Sequence, residues 1–366
     1  MSFFNKKNKS TKTLIISLKS SSVDIQLVSE SKDNTRVVLF AKRSIIFLGD
    51  SQDPHEYTTK CMKELSDTLK MSSQELSKNI EKSILNTEVI LYAPWFTSHI
   101  KDFSHIKEFA LTNKFLDEKI DSITTPSKLI NLEKKIIKIV ANGYPITQIP
   151  KTTISNVSLD VYVSYIAENI HKKIEETIRN SLVMVEKISY TTSPLLFFGK
   201  IKKLMVQEDN ICFVYVGGEI TEYGIIEDDA LSYYGTFPIG KHDFLREVQG
   251  EVRSYDYDLL YQKEVQIKTK TKQDSFESLR QEWKEDLISG LFNAKHITPN
   301  KILLVSDTKT KDFFTKLINQ QGVSDENIFT NQYRIINFDI SYIKDIISYK
   351  TPVNTNELDL QLEALI

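Results

Sequence analysis

Residues 211–226 read ICFVYVGGEITEYGII, and this stretch decides the fold. Ile211–Val216 is an unbroken apolar run with the length of a buried strand. Gly217-Gly218 then marks a turn, because glycine adopts turn conformations without steric cost. A second run follows at Ile220–Ile226. The stretch therefore predicts a β-hairpin with glycines at its turn.

The same order of elements occurs near the start of the chain. Ala230–Phe237 follows the glycine hairpin as a third strand. The first half has three matching apolar runs, Leu14–Leu18, Val23–Val28 and Val37–Phe40. Lys19-Ser20-Ser21-Ser22 joins the first two runs. Self-similarity of this kind is typical of a duplicated fold. We expect an α/β fold of two lobes, with Leu14–Val28 and Ile211–Ile226 as equivalent hairpins in separate sheets.

Helical patterns follow the strands in both halves. Asp53-Pro54 offers an N-cap and a proline at the first helical position. Apolar residues then recur on one face at Tyr57, Cys61, Leu65 and Leu69. Ser72 and Glu75 have capping-box spacing and predict the start of a second helix, before a strand at Val89–Ala93. Later, Lys268–Lys272 is predicted as a charged connector before a long helix with Phe276, Leu279, Trp283, Leu287 and Leu291 on one side.

The region between Trp95 and an expected strand at Val183–Ile188 has a different texture. Its predicted elements are strands at Ile136–Val140 and Val157–Val163, a turn at Asn142–Pro145 and a helix carrying Ile166, Ile170, Ile174 and Ile178. This mixture predicts a small inserted α+β subdomain at residues 97–187. The expected division is 1–96 as the first part of lobe 1, 97–187 as the insertion, 188–209 as a return to lobe 1, 210–330 as lobe 2 and 331–366 as a C-terminal return to lobe 1.

Composition narrows the function classes. The chain has 366 residues, enough for two domains, and a net charge of −2, so no overall field favours nucleic acid. Cys61 and Cys212 stand in apolar patterns and are predicted to be buried thiols in a reducing compartment. No apolar run approaches the roughly 20 residues that span a bilayer. The sequence predicts a cytoplasmic protein with no transmembrane segment and no nucleic-acid partner.

No pattern predicts catalysis or a resident metal. The six histidines have no HExxH or CxxC partner, and no GxSxG is present. Glu227-Asp228-Asp229 could hold a cation, but its position between two apolar strands favours a solvated turn. Neither a catalytic residue nor a metal ligand is assigned.

The motifs together resemble the actin-like ATPase superfamily, and within it FtsA and PilM. Ile16–Val28 is similar to the first phosphate motif, Phe213–Ile226 to the second, and Thr236–Leu245 to the Pro-Ile-Gly-Gly connection. Leu91–Ser98 and Asn142–Pro145 are similar to the borders and turns of the inserted subdomain, and the basic opening MSFFNKK suits PilM. The resemblance implies a duplicated two-lobed, ribonuclease H-like fold with a nucleotide between the lobes.

The sequence departs from this family where the nucleotide would bind. The two motif aspartates fall at Ser17 and Tyr215, the first-motif glycine at Lys19, the second connection glycine at Lys241, and the adenosine-side glycine pair at Ser306-Asp307. The remaining candidate nucleotide-binding residues are Lys19, Ser20, Ser21, Ser22, Gly217, Gly218, Thr221 and Gly240. The Lys19 side chain would either fill the phosphate space or bind a phosphate as a point charge.

These departures predict a pseudo-ATPase without a cofactor. Its expected role is a non-catalytic scaffold that binds partner proteins in a type IV pilus or division assembly, peripherally at the cytoplasmic face of the membrane. Two alternatives stay open: an ATPase switched by Mg-ATP in an altered pocket, and a self-associating filament subunit.

The C-terminal stretch Asn354–Ile366 has an apolar side and acidic residues. FtsA ends in a basic amphipathic membrane helix, but this stretch lacks the basic charge. It is predicted to pack as a last helix or to bind a partner.

Overall fold

The computed structural model describes residues 12–30, 35–47, 53–79, 85–182, 185–205, 210–249, 255–257, 259–260, 270–293, 299, 301–319, 334–336, 346–349 and 358–365. The basic opening MSFFNKK, the polar residues 31–34 and residues 354–357 lie outside these ranges. No helix within them has the length and apolar character needed to cross a bilayer.

The first sheet has the strand order β15-β3-β2-β1-β4-β9. Its strands are β1 (Lys12–Leu18), β2 (Ser22–Glu30), β3 (Arg36–Ile45), β4 (Leu85–Leu91), β9 (Val185–Thr192) and β15 (Ile347–Tyr349). The first three form an antiparallel meander, and β4 and β9 continue the sheet in parallel beyond β1. The strand predicted at Val89–Ala93 therefore begins earlier and ends at Leu91.

The second sheet repeats this arrangement with the order β12-β11-β10-β13-β14. Its strands are β10 (Ile211–Val216), β11 (Thr221–Glu227), β12 (Ala230–Phe237), β13 (Lys301–Val305) and β14 (Arg334–Ile336). Again three antiparallel strands are followed by parallel ones. The two predicted hairpins thus occupy equivalent places in separate sheets, so the predicted duplication is confirmed.

The third sheet comes from the predicted insertion and has the order β5-β8-β6-β7. Its strands are β5 (Thr97–Phe109), β6 (Leu129–Ala141), β7 (Tyr144–Pro145) and β8 (Ile154–Ala167), and α2 (Asn113–Asp121) packs with it. Leu116, Leu159, Val161 and Val163 belong to a core of its own. Positive φ angles at Asn142 and Gly143 explain the turn between β6 and β7.

Helix α3 (Glu168–Ser181) follows β8 directly. The predicted placement of Ile166 on this helix is wrong, because Ile166 is the penultimate residue of β8. Ile174 and Ile178 pack into the core of the first sheet with Leu65. The division at residue 187 stays a prediction.

The structure also differs from the prediction at other helix boundaries. Helix α1 (Pro54–Asn79) is continuous, so the predicted second helix at Ser72 is wrong. Ser72 Oγ donates to the Thr68 carbonyl at 2.7 Å, an interior back-bond of the kind that serine makes within helices. Helix α4 (Ser193–Leu204) has Thr192 as its N-cap residue, with Pro194 in its first turn.

The remaining helices are α5 (Lys241–Gln249), α6 (Lys270–Asn293), α7 (Thr308–Asn319) and α8 (Leu358–Ala364). Helix α6 begins at Lys270, so Lys270–Lys272 is the first turn of a helix and not a connector, and Lys268 lies outside the described residues. Both cysteines are buried free thiols.

Helices α4 and α8 share one core with both large sheets. Phe197 of α4 and Leu362 of α8 cluster with Ile90 of the first sheet and Phe213 of the second. The C-terminal stretch therefore packs as a last helix where it is described, and this core supports the two hairpin turns.

Candidate functional site

The turns of the β1–β2 and β10–β11 hairpins contact each other directly. Each turn closes on itself, since the Lys19 amide donates to the Ser22 carbonyl and the Gly217 amide to the Ile220 carbonyl, both at 3.0 Å. The Glu219 amide then donates across to Ser20 Oγ at 3.2 Å. The eight candidate residues are all buried. The structure thus brings the two predicted phosphate turns together.

The retained glycines make this contact possible. A Cβ atom on Gly218 would overlap the Ser21 side chain, and one on Gly240 would overlap the backbone of Gly218. A Cβ atom on Gly217 would lie 2.6 Å from the Ile220 carbonyl oxygen and 3.1 Å from Ser20 Oγ. Glycine therefore permits close approach here between one part of the protein and another.

The first amides of α5 and the neighbouring threonine also have protein partners. The Lys241 amide donates to the Gly217 carbonyl at 3.0 Å and the His242 amide to the Gly218 carbonyl at 2.8 Å. Thr221 Oγ1 donates to the Ile239 carbonyl at 2.6 Å. These amide and hydroxyl groups could bind a phosphate at the N-terminus of a helix, but here they donate to carbonyl groups of lobe 2.

The Lys19 side chain is 2% exposed and ends in a buried ionic cluster. Its Nζ atom lies 2.5 Å from Asp24 Oδ2 and 2.9 Å from Glu363 Oε1. Its ammonium group also lies 5.0 Å from the centre of the Tyr92 ring, a cation–π distance. Of the two roles predicted for Lys19, the structure supports filling of the space.

Both carboxylates that contact Lys19 have additional partners. Arg43 binds Asp24 through two hydrogen bonds of 2.7 Å, the bidentate geometry that suits arginine and carboxylate. Glu363 is fully buried on α8 and accepts from Gln26 Nε2 at 3.1 Å and from Tyr92 OH at 2.8 Å. A buried ion pair is tolerated where further hydrogen bonds satisfy its oxygens in this way. We call Lys19, Asp24, Arg43 and Glu363 the Lys19 cluster.

A second ion pair joins two further positions where the family has glycine. Lys241 Nζ lies 2.6 Å from Asp307 Oδ2. Burial acts to raise the pKa of Asp307, but the Lys241 ammonium and hydrogen bonds from Thr310 bring this pKa below its ordinary value. Asp307 therefore stays ionised, and its Oδ1 atom accepts from the Thr310 amide at 3.0 Å at the start of α7.

An aromatic and charged layer covers the turns beside α5. His242 lies 3.1 Å from Glu219 and 2.8 Å from Tyr257 OH, and its ring stacks on Tyr255 with 3.7 Å between centroids. Burial lowers the pKa of His242 to about 4, so its imidazole is neutral at pH 7. Phe47 of lobe 1 stacks on Tyr255 at 5.1 Å and ties the layer to the first lobe.

The two positions that lack the family's aspartates are both buried. Tyr215 packs against Tyr92 and Phe197, with ring centroids 4.9 and 5.7 Å apart. Ser17 is fully buried, and its hydroxyl has no hydrogen-bond partner in the described part of the chain. No group of three or more His, Cys, Asp or Glu residues in the described ranges is arranged to hold a metal. These residues do not fit Mg-ATP as the family binds it.

Sequence patterns alone assigned no role to Asp24, Arg43 or Glu363. A signal existed for β2, where Asp24 and Gln26 interrupt an otherwise apolar strand. Nothing local marks Glu363 as a partner of Lys19 and Gln26, because it lies at the opposite end of the chain.

Two sheets of the same strand order, facing hairpin turns and a shared core around α4 and α8 define an actin-like fold. The predicted fold class, a duplicated two-lobed α/β fold with an inserted small subdomain, is confirmed. The superfamily resemblance is supported at the level of fold.

One solved structure with a TM-score above 0.5 agrees with this class. The chain is similar to the structure titled PilM-PilN type IV pilus biogenesis complex, with a TM-score of 0.59, 11% identity and 98% of each chain covered. It also matches a Bacteroides thetaiotaomicron protein with an actin-like ATPase fold at a TM-score of 0.45, with 11% identity over 100% of this chain and 99% of that one. The ethanolamine utilization protein EutJ from Carboxydothermus hydrogenoformans gives 0.43, with 7% identity over 84% and 82% of the chains. No protein-family profile and no curated protein matches the sequence.

Proposed function

We propose that this chain is a non-catalytic actin-like scaffold whose nucleotide cleft is filled by its own side chains. The observation that carries the proposal is the burial of the Lys19 ammonium between Asp24 and Glu363. The family that this sequence resembles has a glycine at this position, beside the phosphates. In this chain the Lys19 ammonium group already binds two carboxylates of the protein.

Charge and space both disfavour Mg-ATP in this cleft. A magnesium ion neutralises phosphate charge and is held through oxygen ligands, but Ser17 and Tyr215 offer no carboxylate. A phosphate that recruited Lys19 would have to break a buried ion pair, at a cost of about 3–5 kcal/mol. Such a cost lowers affinity by roughly two to four orders of magnitude.

The proposed work of the scaffold is to hold partner proteins at the cytoplasmic face of the membrane. The solved structure with a TM-score of 0.59 contains PilM together with PilN, and its title assigns the complex to type IV pilus biogenesis. This likeness of fold supports a pilus assembly ahead of a division assembly, as an argument by analogy. Surface complementarity with a few buried anchors would supply the binding energy.

Thermal unfolding with and without Mg-ATP tests whether the filled cleft excludes the nucleotide. A ligand that binds only the native state stabilises it by about 2.7 kcal/mol at a hundredfold excess over its dissociation constant. We expect no change in melting temperature at millimolar Mg-ATP. A clear rise with Mg-ATP that is absent with AMP would overturn the proposal and favour the nucleotide-switched alternative.

Deletion of the gene tests the assembly. We expect loss of surface pili, seen by electron microscopy, with normal septation. Undivided filamentous cells that retain their pili would assign the chain to division instead.

A further inference from the structure

The junction between β9 and α4 is rich in hydroxyl groups. Its hydroxyl residues are Ser189, Thr191, Thr192 and Ser193. The first two donate to the carboxylate of Glu88 on β4, the neighbouring strand of the same sheet. The last two contact carboxylates that come from the third sheet and from the second sheet. This short stretch therefore connects three parts of the molecule.

Glu133 of β6 joins the inserted subdomain to this junction. Its Oε2 atom accepts from the Thr192 amide at 3.1 Å, from Thr192 Oγ1 at 2.5 Å and from Ser164 Oγ at 3.1 Å. Tyr162 OH, also from the third sheet, lies 2.8 Å from Thr192 Oγ1. Thr192 is fully buried, so water does not compete for these contacts on its side.

Glu222 of β11 joins lobe 2 to the same junction. Ser193 Oγ donates to its Oε2 atom, and Tyr234 OH donates to the same atom at 2.8 Å. Its Oε1 atom accepts from the Ala93 amide at 2.9 Å, where the chain leaves the first sheet for the insertion. Glu222 is 1% exposed. Two successive residues, Thr192 and Ser193, thus contact one carboxylate from the insertion and one from lobe 2.

The two carboxylates bind neutral partners. In the described part of the chain, their hydrogen-bond partners are hydroxyl groups and backbone amides. The titratable groups that face them from neighbouring elements are Glu88, Lys19, Tyr162, Tyr215 and Tyr234. Lys19 is the cation in this set, and it already binds two other carboxylates. Lys135, two residues after Glu133 on β6, is exposed to solvent.

A carboxylate that is removed from water without a bound cation is costly in its ionised form. Burial raises the pKa of Glu133 and that of Glu222 from 4.5 to about 7, although the hydrogen bonds from hydroxyls and amides act in the opposite direction. Glu88 adds a like charge that raises the pKa of Glu133 further. Both groups therefore change charge near neutral pH while they hold the same two residues.

We propose that Glu133 and Glu222 form a proton-sensitive junction, which holds the insertion and lobe 2 together at the start of α4 when both are protonated and loosens when both are ionised. Opening would hydrate the carboxylates and return each pKa to its ordinary value. The stabilisation of the closed junction is then complete below pH 4.5 and is lost as the pH rises through 7. The equilibrium constant for opening should increase by about tenfold for each carboxylate between pH 6 and pH 8. This inference concerns the placement of the insertion and does not depend on the proposed scaffold function.

Hydrogen exchange of the full chain at pH 6 and pH 8, measured by mass spectrometry and corrected for the intrinsic exchange rates, tests the proposal. We expect the protection of residues 189–198 to fall by about a hundredfold in the wild type. Glu133→Gln and Glu222→Gln should each keep a fall of about tenfold, and the double variant should show none. Glu118→Gln, at an exposed position on α2, should behave as the wild type does.

Strand β13, in the core of lobe 2, distinguishes local opening from global unfolding. We expect it to stay more protected than residues 189–198 at pH 8. Infrared spectroscopy supplies a measurement on the wild type itself: part of the absorption of protonated carboxyl groups should be present at pH 6 and lost by pH 8. The double variant should lack this component.

Four results would overturn the proposal. They are protection that does not change with pH, an equal fall in the wild type and the double variant, exchange of residues 189–198 only together with β13, and no loss of the carboxyl absorption between pH 6 and pH 8. None of them would affect the scaffold role, since that role is tested by Mg-ATP and gene deletion.

Discussion

Breaking the Lys19 cluster tests whether the hairpin turns depend on an internal ion pair. Lys19→Met keeps an unbranched side chain of similar reach and removes the ammonium group. Arg43 still binds Asp24, and Gln26 and Tyr92 still donate to Glu363, so the carboxylates keep part of their compensation. Removal of one partner from a buried ion pair costs about 3–5 kcal/mol, and we expect the lower end because of these remaining contacts.

A double-mutant cycle isolates the pair from its surroundings. The variants are Lys19→Met, Glu363→Gln and the two combined, each measured by urea unfolding with linear extrapolation. Glu363→Gln removes the charge while the side chain keeps its length and its hydrogen-bonding oxygen. The double variant should be closer to wild type than the sum of the single effects, with a coupling of about 2 kcal/mol.

The matched control is the pair Lys114 and Glu118 on α2. Their charged atoms are 3.9 Å apart and their side chains are 85% and 64% exposed. An exposed pair at this spacing couples by about 0.5 kcal/mol or less. A coupling for Lys19 and Glu363 as small as that of the control would refute the reasoning.

Substitutions at two other positions have definite expected signs. Gly218→Ala places a Cβ atom on Ser21 and should destabilise the fold by about 1–3 kcal/mol. Its control, Gly199→Ala, is at a helical site with open space and should be neutral or stabilising. Equal urea midpoints for the two variants would contradict the contact between the turns. Burial raises the pKa of Glu222 from 4.5 to about 7, so the folded chain binds this proton more tightly than the unfolded chain. The resulting stabilisation is complete below pH 4.5 and is lost by about pH 7. The free energy of unfolding of Glu222→Gln should therefore rise by about 3 kcal/mol relative to that of wild type between pH 4.5 and 8. Stability curves that stay parallel over this pH range would disprove the prediction.

Local patterns predicted the strands of lobe 2 well because their boundaries are chemical. Ile211–Val216 is an apolar run that ends at Gly217, and Ala230–Phe237 begins directly after acidic turn residues. The structure assigns both strands with the predicted bounds. Asp228 and Asp229 have positive φ angles, which confirms the predicted turn. Where turn-forming residues mark the boundary of a strand, the predicted and observed bounds agree.

Patterns that occur in more than one context produced the errors. Ser72 and Glu75 have capping-box spacing, but a serine inside a helix can bond back to the preceding turn instead. Ile166 continues the four-residue spacing of α3 although it lies in a strand, because the apolar positions of β8 and α3 happen to be in phase across the junction. Tertiary packing, which a local pattern does not show, determines which of the two conformations forms at each position.

The candidate site was predicted in its positions and not in its contents. The order of the glycine and serine turns placed Ser20, Ser21, Gly217 and Gly218 together. The partner of Lys19 could not be predicted, since Glu363 is brought to it only by the packing of α8 between the sheets. A contact between the two ends of a chain has no local signature.

For the proposed scaffold function, the Lys19 cluster also gives a physical reason to keep an actin-like fold without a nucleotide. A bound ligand stabilises a protein by an amount that depends on ligand concentration and disappears when the ligand does. An ion pair between Lys19 and Glu363 acts within one molecule, so its contribution is independent of ATP. A fixed contact between the turns would present the proposed partner-binding surfaces in one geometry at every concentration of ATP. Such constancy suits an assembly platform, and it would defeat a nucleotide-driven switch.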